Sequence, residues 1–301
     1  METCRETFKP HKDRNEQELV VCMKKKIILI GCGSIGSEIL KSVGEGDIPN
    51  AALVAVLDIR KEATIQALHT HKLQNVEIFT NFEDLVKSPS FATAEIIIEA
   101  ASQGAVRDYG KRILELGKTF LVLSSGAFSD SVLLNELIKR AKNNSSKLVI
   151  PSGAIGGIDA IRSVKRNLDS ITITTVKNPI ALSGAPFFLN SELKAESIIT
   201  RTVLFEGSAS DAISRFPANV NVAVTLALAG LGLEKTIVRV IADPEVRVNQ
   251  HNIVASGNFG EIEISVHNNP MSANPKTSIL AALSAIETIR GLCEESFRIG
   301  S

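Results

Sequence analysis

The chain of 301 residues predicts an α/β protein, a doubly wound parallel sheet followed by a second α/β domain on a mixed sheet. Three observations carry that prediction. Short β-branched runs alternate with helical patterns as far as residue 150, a glycine-rich turn directly follows the first run, and beyond Pro151 strands succeed one another with fewer helices between them.

Residues 1–23 mix both charge signs without an apolar period and read as a disordered tail. Met23 stands directly before Lys24-Lys25-Lys26 and the first strong strand, which leaves the translation start open between Met1 and Met23. Residues 24–150 form the first domain. Its runs IILI (27–30), LVAVLD (53–58), EIIIEA (95–100), TFLVLSS (119–125) and KLVIPS (147–152) are apolar almost throughout, as parallel strands covered on both faces must be. The helices between them show as 3.6-residue stripes: Ile35, Ile39, Leu40 and Val43, and again Val132, Leu133, Leu137 and Ile138 after a polar Ser129-Asp130 start.

Residues 151–270 make the second domain. Strands are expected at ITITTV (171–176), TRTVLFEG (200–207), TIVRVIAD (236–243), NIVASG (252–257) and EIEISVH (261–267), with helices near 157–167 and 217–231 on one face. In the final segment, 271–301, a helix from about Thr277 to Cys293 carries Ile279, Leu280, Leu283, Ile286, Ile289 and Leu292. That stripe is wide enough to bury against another element, and a return to the first domain would satisfy it.

Composition narrows the function. Lys plus Arg equals Asp plus Glu at 33 each, Trp is absent and Tyr109 is the only tyrosine, so neither a global field nor a stacking platform recruits nucleic acid. The longest nearly apolar stretch, Val222 to Leu233, falls short of the roughly 20 residues that cross a bilayer, and no membrane span is expected. Four cysteines without CxxC pairing fit a reducing, cytoplasmic compartment. No HExxH, Cys/His cluster or GxSxG is present, so no metal site is expected.

The sharpest motif is Gly31-Cys32-Gly33-Ser34-Ile35-Gly36, between a strand and a helix. In a Rossmann-like domain Gly31 permits the tight turn, Gly33 lets the backbone approach a pyrophosphate, and Gly36 lets helix and strand pack closely. The helix start offers the N–H groups of Ser34 and Ile35 to the phosphates. Asp58 ends the next strand and would accept hydrogen bonds from the adenosine ribose, which favours NAD; Arg60, two residues on, keeps NADP open. Ligands of such sheets lie beyond the carboxyl ends of the strands, where Ala100–Gln103, Ser124–Ala127 and Ser152–Ala154 leave room for a flat ring. Of the histidines, His11, His69 and His71 read as surface and His267 as turn chemistry, whereas His251 stands beside a polar loop between Asn249 and Asn252 and is the catalytic candidate. Lys177, Arg162 and Lys276 are the cations nearest the unusual loops.

PSGAIGGIDAI (151–161), FPANVNVAVTLALAG (216–230), ADPEVRVNQHNI (242–253) and NPKTS (274–278), after GCGSIG and LSSGA, closely resemble the L-aspartate dehydrogenase family from about Lys24 to the final helix. The resemblance implies a Rossmann-like domain with an α/β substrate domain, a homodimer, and oxidation of L-aspartate with NAD or NADP. It also implies a catalytic role for His251 and cofactor contacts at Ala154 and Asn221. The product would be iminoaspartate, hydrolysed to oxaloacetate and ammonia or passed on to pyridine nucleotide synthesis. An imidazole with a pKa near 6.5 would serve as base. The two carboxylates of aspartate call for two sets of donors, for which Lys177, Lys276 and the backbone N–H groups at Gly156-Gly157 are the candidates. Two other readings stay open, a dehydrogenase or reductase of the homoserine or dihydrodipicolinate type and a non-catalytic dinucleotide sensor.

Overall fold

The computed structural model describes residues 24–189, 191–217, 221–272, 274–294 and 299; the tail expected over 1–23 lies outside them. Six strands, β1 (Lys25–Ile30), β2 (Ala51–Leu57), β3 (Glu77–Phe79), β4 (Ile96–Glu99), β5 (Thr119–Val122) and β6 (Leu148–Val149), form one parallel sheet in the order β3-β2-β1-β4-β5-β6. The order reverses between β1 and β4, and a crevice opens beyond their carboxyl ends. Alternation along β1 feeds two cores. Ile28 and Ile30 pack with Val106, Phe120 and Phe128 on one face, while Ile27 and Leu29 pack with Ile39, Leu40 and Ile98 on the other. Helix starts are set by side chains that accept the first free N–H groups, as Ser102 does from Ala105 and Asp130 from Val132 and Leu133.

The second sheet contains β7 (Leu168–Lys177), β8 (Thr202–Ser208), β9 (Thr236–Ala242), β10 (Asn249–Gly257) and β11 (Gly260–Asn268), in the order β11-β10-β7-β9-β8. β7 and β9 run parallel and the other pairs antiparallel, a mixed sheet. The helices Ile158–Ser163, Ala209–Arg215 and Asn221–Ala229 cover one face, burying Ile161, Ala212 and Leu226 against Ile171, Ile173, Val240 and Ile253. The opposite face is polar, with Ser170 bonded to Ser256, Arg239 to Glu206 and Asn252 to Glu263.

A short hairpin, β12 (Pro270–Met271) with β13 (Asn274–Ser278), leads into the helix Ile279–Cys293. Ala285, Ile286, Ile289 and Cys293 of that helix join the first-domain core beside Ile27, Leu29 and Ile39. Burying each isoleucine stabilises the docking by about 1.5–3 kcal/mol. Lys25 Nζ and Arg290 Nε donate across the seam, to the carbonyls of Leu292 and Asp47. The helix Asn221–Ala229 makes a second crossing: Val224 packs in the first-domain core, Leu226 and Ala227 in the second. These two ties hold the second sheet over the crevice of the first.

Candidate active site

The glycine loop leaves space where a dinucleotide would need it. Gly31 has φ +94°, and a Cβ there would come 2.7 Å from Ala101 Cα, so this turn must be glycine. A Cβ on Gly36 would overlap the Gly31 carbonyl oxygen, whereas one on Gly33 would meet nothing within 4 Å. Two glycines therefore keep the loop tight and the third faces open space. Gly33 also caps the helix Ser34–Glu45 without a side chain, which leaves first-turn N–H groups, Ser34 and Ile35 among them, available to an anion. A pyrophosphate fits this cradle.

Asp58 lies just past β2, 8% exposed, and is already engaged: Oδ2 accepts from the Cys32 N–H (2.6 Å) and Oδ1 from the Arg60 N–H (2.8 Å). Burial pushes its carboxyl up, but those N–H groups and the Arg60 guanidinium outweigh it and hold the group below the usual carboxylate range. The carboxylate is thus fixed, ionised, at the edge of the glycine loop. Arg60 Nε stands 3.4 Å from Oδ1 on a side chain 60% exposed, free to swing outward.

Across the crevice, the ends of β4, β5 and β6 meet the second domain. Ser125 donates to the Asn221 carbonyl (3.0 Å) and shares a hydrogen bond with Thr225 (2.9 Å), while Asn221 Oδ1 accepts from the Gly126 N–H (2.9 Å). Ala154 is held from the other side, its carbonyl accepting from Asn268 Nδ2 (2.7 Å). Between them lies a cavity of about 130 Å³ whose wall includes Ile35, Ser125, Ala154, Asn221, Lys177 and His251. Six residues singled out from sequence thus converge on a single space.

His251 is a strand residue, not a loop residue. β10 begins at Asn249, earlier than its apolar run suggested, and Asn249, His251, Ile253 and Ala255 alternate inward along it. In register opposite His251 is Thr175, whose Oγ1 lies 3.0 Å from the imidazole Nδ1. Lys177, two residues on from Thr175 along β7, shares that inward face and is 4% exposed. Burial depresses both groups: Lys177 falls to about 8, and His251, with the Lys177 charge as the second cause, to about 3. The ordinary imidazole pKa expected from sequence is overturned, because a buried ring beside a buried cation resists a second positive charge. In the free protein at neutral pH His251 is neutral.

One further expectation changes. Gly156 and Gly157 are not among the residues that line the cavity; Gly157 packs against Ile264 of β11, and the helix it opens, Ile158–Ser163, has only six residues. Lys276 falls within β13, next to the cavity residues Thr277 and Ser278, and its side chain lies outside the described residues. Sequence reasoning missed Glu99, a fully buried carboxylate that ends β4; the signal available was a charge closing an otherwise apolar run.

Comparison with known proteins gives matches over both domains. Residues 31–151 match the family model described as homoserine dehydrogenase, NAD binding domain, and residues 159–292 the one described as aspartate dehydrogenase, C-terminal. The L-aspartate dehydrogenase of Nitrosopumilus maritimus is 41% identical over 278 residues, covering 92% of this chain and 100% of its own. That of Methanosarcina barkeri is 44% identical over 266 residues, covering 88% and 96%. Among solved structures, aspartate dehydrogenase from Thermotoga maritima superposes with a TM-score of 0.70 at 27% identity, covering 92% and 99% of the two chains. A hyperthermophilic archaeal homoserine dehydrogenase in complex with NADPH, 15% identical with a TM-score of 0.58 over 92% and 100%, shares the fold.

Proposed function

The chain belongs to the L-aspartate dehydrogenase family, and on that premise we propose that it oxidises L-aspartate in the cavity walled by His251 and Lys177. It is an enzyme with a nicotinamide dinucleotide as cofactor. The single observation that carries the site assignment is the convergence of His251, Lys177, Ala154 and Asn221 on one cavity that opens at the end of the glycine loop through Ile35.

Gly31, Gly33, Ser34, Ile35 and Gly36 would hold the pyrophosphate of the dinucleotide and Asp58 its adenosine ribose, while Ala154 and Asn221 would border its nicotinamide. When bound, the ring supplies a hydride acceptor. Lys177, protonated at neutral pH, pairs with one substrate carboxylate, and Lys276 on β13 is the proposed cation for the other. Burial is the larger cause of the depressed His251 pKa and the Lys177 charge the second; a carboxylate beside Lys177 offsets that second cause, so substrate binding raises the basicity of the imidazole. In the tautomer that carries its proton on Nδ1, which then donates to Thr175, Nε2 keeps the lone pair that accepts a proton from the substrate ammonium. The freed nitrogen lone pair then forms the C=N bond as hydride leaves Cα, giving iminoaspartate. Once His251 has passed that proton to solvent, it serves as base a second time for the water that attacks the imine, and collapse of the adduct yields oxaloacetate and ammonia.

Residues 24–150 thus serve the cofactor and 151–270 chiefly the substrate, with Ala154 and Asn221 reaching the cofactor, while the helix Ile279–Cys293 of the final segment docks on the first domain. Asp58 supports NAD as the preferred form, since its ionised carboxylate repels a 2′-phosphate. The family resemblance supports a cytoplasmic homodimer, which sizing of the purified protein would check. The reaction is tested by following reduced cofactor in the near ultraviolet with L-aspartate, L-glutamate, L-homoserine and L-alanine, each with NAD and with NADP. Reduction with aspartate, faster with NAD, is the expected result; reduction only with homoserine would move the chain to the other dehydrogenase class.

A further inference from the structure

Glu99 closes β4 after three isoleucines and is fully buried. Its carboxylate accepts four hydrogen bonds. Oε1 takes the N–H groups of Ala101 and Ser102 (2.8 Å each) and the Ser124 hydroxyl (2.8 Å), and Oε2 takes the Ser124 N–H (3.0 Å). Three of these donors are backbone amides that can only donate, so the pocket is built to receive an anion. Burial pushes the carboxyl up by more than the four hydrogen bonds bring it down, so the ionised form is favoured only when a positive charge comes near. All four partners are neutral, and among the described residues no lysine or arginine forms a salt bridge with Glu99. A buried carboxylate without a counter-cation is an unfavourable arrangement unless a cation arrives from elsewhere.

The position says which cation. Ala101 abuts Gly31 of the phosphate loop, and Ser124 stands between Leu123 and Ser125, both in the cavity wall. Glu99 therefore ties together the two loops that floor the crevice, under the passage from the phosphate cradle to the catalytic cavity. The cofactor portion that must reach this passage is the nicotinamide, whose ring is cationic when oxidised and neutral when reduced. We propose that Glu99 is the counter-charge of the oxidised nicotinamide, a positioning residue that acts through the buried floor and sets the affinity of oxidised relative to reduced cofactor. This rests on the crevice being the cofactor site and is independent of the substrate.

The test measures dissociation constants of NAD+ and NADH separately, by calorimetry and by fluorescence of the reduced form, with no amino acid present. For Glu99→Gln the ratio of oxidised to reduced dissociation constants rises about tenfold, the scale of one partly screened charge pair. Glu99→Asp keeps the charge with a shorter reach, so both affinities weaken while the ratio stays within about twofold of the wild type. A purely structural role would weaken both forms equally in the two variants, and an unchanged ratio in Glu99→Gln overturns the proposal. A measurement on the unaltered protein guards against misfolding of the variants. The benzamide analogue of NAD+, of the same shape with a neutral ring, is expected to bind about tenfold more weakly than NAD+; equal binding overturns the proposal and leaves the cofactor site standing. Failure of the unaltered protein to bind either NAD+ or NADH would overturn both.

Discussion

Gly33 and Gly36 stand three residues apart in the same loop, yet alanine should affect them in opposite ways. At Gly33 the backbone has φ −69° and ψ −161°, which alanine adopts without strain, and the new methyl group would meet no protein atom within 4 Å. Reduced freedom of the unfolded chain stabilises Gly33→Ala by about 0.4–1 kcal/mol, and the poorer helix cap takes a similar amount back. Its melting temperature should stay within about 4 °C of the wild type. The methyl group projects into the space where the pyrophosphate approaches, so cofactor affinity should fall at least about tenfold, or 1.4 kcal/mol. At Gly36 the methyl group would overlap the Gly31 carbonyl oxygen, part of the backbone that cannot move cheaply. Overpacking of this kind costs about 3 kcal/mol, which lowers the melting temperature by roughly 6–12 °C. Thermal denaturation together with titration of NADH fluorescence separates the two effects. A Gly33→Ala protein that bound NADH within about twofold of the wild type would refute the assignment of that space to the phosphates.

Four more outcomes follow from the same geometry. Lys177→Met should raise KM for aspartate at least about tenfold and leave NADH binding unchanged, as a lost carboxylate partner requires; comparing aspartate with glutamate checks it, and unaltered selectivity in both Lys177→Ala and Lys276→Ala would remove these cations from the substrate site. In the unaltered enzyme KM for aspartate should climb as pH rises through about 8, where Lys177 loses its proton. Arg60→Ala should weaken NADP binding more than NAD binding, because the exposed guanidinium can swing from Asp58 to pair with a 2′-phosphate. For His251 the unfolded chain binds a proton near pH 6.5 and the folded chain only near 3, so its stability contribution is complete above 6.5 and is lost as pH falls through that window. At pH 5 the loss is about 2 kcal/mol, and urea midpoints at pH 7.5 and 5 should differ less in His251→Leu than in the wild type.

The first domain was largely legible because its buried parallel strands are apolar on both faces and the glycine loop stands between strand and helix. β3 escaped notice: Glu77-Ile78-Phe79 is three residues long, with no β-branched run to mark it. In the second domain the start of β10 was hidden by its polar composition, since Asn249, Gln250 and His251 look like a loop until the inward alternation with Ile253 and Ala255 is counted. The same alternation would have placed His251 in the interior. Lys177 was visible as a cation near a loop, but its burial, and hence its effect on His251, follows from pairing β7 with β10 across 70 or more intervening residues. Glu99 could be read only as an oddity at a strand end; its four donors come from two loops that the fold brings together.

The central claim is that His251 moves the proton that lets hydride leave the Cα of aspartate. Its most direct test compares the wild type with His251→Asn in the rate of cofactor reduction by saturating L-aspartate across pH, with NADH affinity measured alongside. The account predicts kcat lower by about a hundredfold or more, loss of the acidic limb of the pH profile, where His251 takes up a proton and stops acting as base, and NADH affinity unchanged. A variant that kept the wild-type kcat and pH profile would contradict it.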